Sequence, residues 1–221
     1  LQPDGLHPEA IGEGRSSFAG FLIAVPLGCL LFQQPSLQQP GLYFAFACCW
    51  LFSAIGKTMQ IMLDGTRQKR NFIRTVMAYI FGLSLLWLAD PVTFSANIPS
   101  SNAQWLTFIC AIVTVAFGII AMIVPSMALR LLKLQVVPSR PAAIGEVRGN
   151  LAGFYLGLGL AYLLAPGIFL ALTLALGWSL TAFGRMISML SDRGNTFYNW
   201  IALLFELGLA SLPIIAIFGL M

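Results

Sequence analysis

Charge and histidine are both scarce in this chain. There is one histidine, His7, and only 9% of the 221 residues are Asp, Glu, Lys or Arg, against about 25% in soluble domains. A haem or zinc site inside a membrane needs imidazole at membrane depth, and His7 lies outside every apolar segment. The four cysteines, Cys29, Cys48, Cys49 and Cys110, all sit in apolar stretches without metal-ligand spacing. They read as small buried hydrophobes. The chain has no CxxC, no HExxH, no glycine-rich phosphate loop and no Ser–His–Asp set. These absences predict a protein without cofactor, metal or catalytic residues. Leu1 to Gly14 has no basic stretch followed by an apolar run, so it does not read as a signal peptide. With no initiator Met, the sequence is expected to start inside a longer product.

What the chain has in abundance is apolar surface: 58% hydrophobic residues and a mean hydropathy of +0.86. A soluble fold buries only about 70–75% of its surface, so the bilayer must solvate most of these side chains. A membrane helix needs about 20 mainly apolar residues. Seven segments are expected: Ser16–Phe32, Leu42–Leu63, Phe72–Ala89, Gln104–Val124, Leu151–Ala165, Ile168–Leu190 and Phe197–Leu220. The first and fifth are short but extend backwards through a charged turn. Ala165-Pro166-Gly167 separates the fifth from the sixth, because Pro and Gly end a helix and turn the chain. The fold class is therefore all-α, a polytopic membrane bundle of about seven transmembrane helices.

The connecting loops alternate. Gln33–Gly41 and Ala165–Gly167 carry no charge, and Asp90–Ala103 carries only Asp90. The other connections hold Arg67, Lys69, Arg70 and Arg74, then Arg130, Lys133, Arg140 and Arg148, then Arg193. With Arg15 before the first helix, and Lys57 and Arg185 inside helix ends where long stems snorkel, all twelve Lys and Arg fall on one face. The positive-inside rule makes that face cytoplasmic, with the N-terminus inside and the C-terminus periplasmic. Basic residues spread between apolar segments fit anionic headgroups and not a nucleic acid.

The chain resembles itself. Ala10-Ile-Gly-Glu-Gly-Arg15 and on to Phe21 matches Ala143-Ile-Gly-Glu-Val-Arg148 and on to Phe154, offset by 133. Ser53–Asp64 matches Thr181–Asp192, offset by 128. Order and spacing persist, as in an internal duplication. Residues 1–142 read as a first repeat with four membrane helices and residues 143–221 as a second with three. Four is even, so both copies start on the same side and are parallel.

These blocks resemble a bacterial membrane family of unassigned reaction, domain of unknown function 4345. The likeness rests on Glu146-x-Arg148, Gly153-Phe-Tyr-Leu-Gly157-Leu-Gly159, Gly184-Arg185, Asp192-x-Gly194 and Glu206 followed by Leu-Gly-Leu-Ala. It runs from about Ala143 to the C-terminus, with a weaker echo from Ala10 to Asp64. The first half departs at the Glu206 equivalent, which is Ala78. The resemblance implies a small helical bundle in a bacterial inner membrane and no particular reaction.

Glu206 is the sharpest candidate. It lies about 13 Å into the last helix at 1.5 Å per residue, and a carboxylate at that depth is paired, protonated or in a polar cavity. Arg185 is the expected partner and Arg148 the second choice. The alternatives are a helix-locking ion pair, a proton relay and a polar ligand anchor. Glu13/Arg15 and Glu146/Arg148 recur at equivalent helix starts, where a Glu suits the helix dipole. They read either as anchors and caps or as a symmetric polar pocket with Lys57 and Arg185 as matched bases. Gly153, Gly157 and Gly159 make a smooth helix face for close packing. Asp64 and Asp192 read as turn caps.

The expectation for function is a non-catalytic scaffold or accessory subunit of a larger inner-membrane complex, with membrane lipids and other subunits as partners. The alternative is a protein that translocates protons, ions or small molecules through Glu206. An intramembrane enzyme would need a polar cluster that the sequence does not contain.

Overall fold

Peptide groups in a bilayer find no water, so a spanning chain must close its hydrogen bonds within helices. The computed structural model is mainly helical over the residues it describes. It describes residues 2–3, 13–32, 40–63, 65, 68–89, 98–137, 143–192 and 194–219. His7, Asp64, Arg67, Asp90, Arg140 and Arg193, and most of the Gln33–Gly41 loop, lie outside the described residues.

The helices in chain order are α1 (Gly14–Phe32), α2 (Pro40–Leu63), α3 (Lys69–Leu88), α4 (Asn102–Ile123), α5 (Pro125–Leu131), α6 (144–164), α7 (Ile168–Ser191) and α8 (Phe197–Phe218). A two-residue antiparallel pairing joins β1 (Gln2–Pro3) to β2 (Leu134–Gln135). Sequence signals account for several ends. Ser101 and Thr196 cap α4 and α8 by accepting the backbone N–H of Gln104 and Asn199. Pro125 opens α5, where its missing N–H costs nothing. Gly219 closes α8 at φ 61°, a left-handed turn that glycine adopts freely.

Among the described residues, six helices are long and apolar enough to cross a membrane: α1, α2, α3, α4, α7 and α8. The segment expected as the fifth of about seven spans is not among them. Its α-helical part, Ala152–Leu164, has 13 residues, about 20 Å at 1.5 Å per residue. It continues backwards without a break through a π-helical turn, Val147–Leu151, and a short turn, Ile144–Glu146. That extension carries Glu146 and Arg148, which dilute the apolar run. Helix α1 opens the same way, with a π-helical turn at Gly14–Phe18 directly after Glu13.

Helix α6 is the most enclosed element, with ten of the 13 residues from Ala152 to Leu164 buried. It packs on α2 and on α4, while α1 packs on α7 and α3 lies outside against α2. Small residues permit these approaches. A Cβ on Gly153 would meet the Ser53 and Cys49 backbone, one on Gly157 the Cys49 backbone and Sγ, and one on Gly159 the Val115 side chain and Ala111 carbonyl. All three glycines are thus used inside the bundle. Cys29, Cys49 and Cys110 are buried, Cys48 is half-buried, and all four are free thiols. The outer faces are apolar: on α3, Trp87 is 89% exposed, with Phe72, Ile80 and Leu83 on the same surface. The Ala165-Pro166-Gly167 turn separates α6 from α7 as the sequence requires.

Overpacking a closed contact costs about 1–3 kcal/mol, whereas replacing an open helical glycine with alanine gains up to about 1 kcal/mol. Gly157→Ala is therefore expected to lower the unfolding midpoint in detergent. Gly208→Ala, with nothing within 4 Å of the new methyl, is expected to leave it unchanged or raise it. Equal midpoints for the two variants would contradict this packing account.

Candidate functional site

The buried face of α7 repeats at helical spacing through Leu174, Trp178, Thr181, Arg185 and Ser188. On α8, Asn199, Leu203, Glu206 and Ala210 form the inward stripe. Asn199 and Glu206 are thus stacked two turns apart, opposite Arg185. The start of α1 completes the site by placing Glu13 and Ser16 beside them, both buried.

Arg185 is 2% exposed and its guanidinium is fully engaged. Nε donates to Glu206 Oε2 at 3.0 Å and Nη2 to Glu206 Oε1 at 2.6 Å. Nη1 donates to Glu13 Oε1 and to Asn199 Oδ1, each at 2.7 Å, and Nη2 to Glu13 Oε2 at 3.0 Å. These contacts use the five N–H groups of the fork, with Ser16 Oγ a further 3.4 Å neighbour. Asn199 is held in turn by donating to the Gly194 carbonyl at 2.7 Å. Ser17 Oγ donates to Glu13 Oε2 at 3.5 Å. One cation thus holds two carboxylates in bidentate geometry, and the cluster carries one formal negative charge in excess.

Arg15, close by in sequence, is turned outward. It pairs with Asp192 at 2.8 Å and donates to Ser191 Oγ. Glu13 makes no capping hydrogen bond to its own helix, so the capping reading gives way to a contact across 172 residues of chain. Asp192 likewise meets Arg15.

Glu146 and Lys57 stand in a second cluster. Arg74 Nη1 pairs with Glu146 Oε1 at 2.7 Å, Asn150 donates to Glu146 Oε2, and Ser53 donates to Asn150 at 3.2 Å. Lys57 is buried, with its Nζ 5.9 Å from the Trp50 ring. Gly56 lies against the Arg148 carbonyl and Gly149 against the Lys57 stem. Arg148 is buried here and is not a partner of Glu206. Ala78, which the 128-residue sequence offset sets against Glu206, is fully buried. Sequence reasoning missed Arg74, which reads as a topology charge, and Asn150 and Asn199, whose roles arise only from packing.

Beside the first cluster lies a cavity of about 240 Å³. Glu13, Arg185 and Glu206 form its polar end. Phe117, Tyr155, Trp178 and Phe205 contribute aromatic walls, their rings in edge contacts at centroid distances of 5.9–6.5 Å. The outer wall includes Phe205, 48% exposed, and Leu131, 44% exposed, so the cavity abuts the surface that lipids cover. Among the described residues no group of three or more His, Cys, Asp or Glu could hold a metal ion.

Removing one partner of a buried ion pair costs about 3–5 kcal/mol, because it strands the other charge. Arg185→Ala is expected to destabilise the protein by that amount in detergent unfolding. Adding Glu13→Gln and Glu206→Gln to it should recover a large part. No recovery would mean that the two carboxylates do not depend on Arg185.

No curated protein and no solved structure matches the sequence. The family described as Domain of unknown function (DUF4345) matches residues 102–217, taking in α4 through nearly all of α8. The match covers more than half of the chain, and the protein belongs to that family.

Proposed function

We propose that this is a non-catalytic integral membrane protein that accommodates a bilayer-dissolved amphiphile and serves as a scaffold or accessory subunit of a larger complex. The observation that carries this reading is the cavity of about 240 Å³ with apolar walls and an ionic end. Ligand sites of this kind are mostly apolar, with a few fixed polar groups. Nothing at the polar end resembles an activated nucleophile, and the Arg185 donors are already engaged by Glu13, Glu206 and Asn199.

In this reading α6 is a seventh, protein-surrounded crossing, since its helix runs on through residues 144–151. Seven crossings put every Lys and Arg on one side, which supports a cytoplasmic N-terminus; a bacterial inner membrane is part of the same proposal. The pairings Arg74–Glu146 and Arg15–Asp192 join helix ends on that side.

A parallel duplication is part of the proposal. The π-helical turns at Gly14–Phe18 and Val147–Leu151 repeat the 133 offset, and α2 and α7 repeat the 128 offset at both ends. Each half's first helix packs on the other's second: Gly20 meets Thr181, and Gly153 meets the equivalent Ser53.

The test is extraction from native membranes into polymer discs followed by mass spectrometry of bound lipids. A co-purifying amphiphile is expected with the wild type and is expected to be lost in Ala202→Phe, which fills the cavity from α8. Identical lipid profiles would contradict the reading.

Translocation through Glu206 is the second reading, favoured by the position of that buried carboxylate on the cavity wall. The two readings part in liposomes under a proton gradient. An accessory protein leaves the gradient as stable as in empty vesicles. A wild-type leak that Glu206→Gln abolishes would establish translocation instead.

A further inference from the structure

The chemistry of the cavity constrains what enters it. Its polar end is a closed cluster of two carboxylates and one guanidinium, short of one positive charge. The guanidinium has no donor to spare: its five N–H groups are taken by Glu13, Glu206 and Asn199. A phosphate or carboxylate headgroup would therefore meet two like charges and find no donor on Arg185. Each carboxylate oxygen, by contrast, keeps lone-pair capacity beyond the bonds it accepts from Arg185.

The other walls point the same way. Trp178 donates its Nε1 to Thr114 at 3.0 Å and Tyr198 its hydroxyl to the Leu131 carbonyl at 2.9 Å. Those donors are committed to the protein, which leaves aromatic and aliphatic surface on these walls. Ring faces attract cations, and quaternary ammonium groups are recognised by aromatic cages of this composition. The Tyr198 ring already draws a cation, with Lys133 Nζ 5.6 Å from its centroid. The Arg15 charge is spent on Asp192. An uncompensated negative charge in a low-dielectric interior is costly, and a cationic ligand relieves that cost.

We infer that the ligand of this cavity is a hydrophobic cation: a substituted ammonium group facing Glu13 and Glu206, on an apolar body lying among Phe117, Tyr155, Trp178 and Phe205. At about 240 Å³ the space exceeds the roughly 150 Å³ of an engineered cavity that takes benzene. An aryl or short branched alkyl body therefore fits, and longer chains extend past Phe205 and Leu131 into the bilayer. The inference rests on the reading of the cavity as an amphiphile site given above.

The experiment compares three probes of one shape on the full chain in dodecyl maltoside: benzyltrimethylammonium, its uncharged carbon isostere neopentylbenzene, and the anion phenylmethanesulfonate. Binding is read from the shift in thermal unfolding midpoint against concentration. The wild type is expected to bind the cation at least tenfold more tightly than the isostere and not to respond to the anion. Ala202→Phe should lose both binders. Glu206→Gln, which removes the surplus charge, should lose the tenfold preference yet keep the isostere. If Glu206→Gln does not fold, the wild-type comparison alone decides. Equal or tighter binding of the isostere, or any binding of the anion, overturns the cationic assignment and leaves the cavity reading standing. Failure of all three probes, or unchanged binding in Ala202→Phe, overturns the cavity reading as well.

Discussion

Arg185 is the point on which the bundle turns. A guanidinium inside a bilayer protein must find an acceptor for every N–H, because water is not there to supply one. Arg185 finds its acceptors on two segments: Glu13 just before α1, and Glu206 and Asn199 on α8. That requirement sets the rotation of α7 and α8 about their axes and draws the start of α1 across the bundle. The geometry is also self-limiting. Two bidentate carboxylates and one amide saturate the fork, so the cluster can lose a partner only at a cost of several kcal/mol.

Shape does the rest of the work. Between helices that have lipid as their alternative neighbour, burial of apolar surface drives little, and close van der Waals contact drives association. That explains why α6, with Gly153, Gly157 and Gly159, occupies the middle. A side chain on Gly157 would strike the Cys49 backbone, so the α2–α6 distance is set by the missing Cβ. The thiol of Cys49 turns to the Phe154 carbonyl at 3.7 Å, consistent with a packing role. Phe46 and Trp50 of α2 pack on Phe154 of α6, while Phe117, Tyr155, Trp178 and Phe205 line the cavity.

What the sequence revealed follows from how local each signal is. Apolar run length and the Pro166-Gly167 break are local, and the long helices follow from them. Glu206 announces itself because a carboxylate inside an apolar helix has few physical options, and Arg185 was within reach as its partner. Glu13 was harder, since a Glu at a helix start has a sufficient local explanation in the helix dipole, and only the fold reveals that it reaches Arg185 instead. Arg74 was hidden by the same logic among topology charges. The π-helical turns and the cavity had no sequence signal. A π turn is a one-residue adjustment, and the cavity is assembled from the start of α1 and from α4 to α8, with no single segment marking it. Helix α6 falls short of the expected span because its α-helical part is only 13 residues long and its extension carries Glu146 and Arg148.

The two clusters differ in the charges that surround their carboxylates. Under the proposed duplication, Glu146 and Lys57 repeat Glu13 and Arg185, and Asn150 stands where Ser17 does. At the second cluster, Arg74 neutralises Glu146 at 2.7 Å and Ala78 replaces the second carboxylate. At the first, Glu206 is present and the Arg74 equivalent is Ala202, which lines the cavity. Two differences between related corners therefore act in the same direction: one adds a negative charge, and the other removes the cation that would offset it while opening space. The Glu146 pair lies nearer the surface, its side chains 34% (Glu146) and 56% (Arg74) exposed, where water screens the charges. In the proposed reading, a cation seated beside Glu13 and Glu206 offsets the charge that Arg185 leaves unmatched.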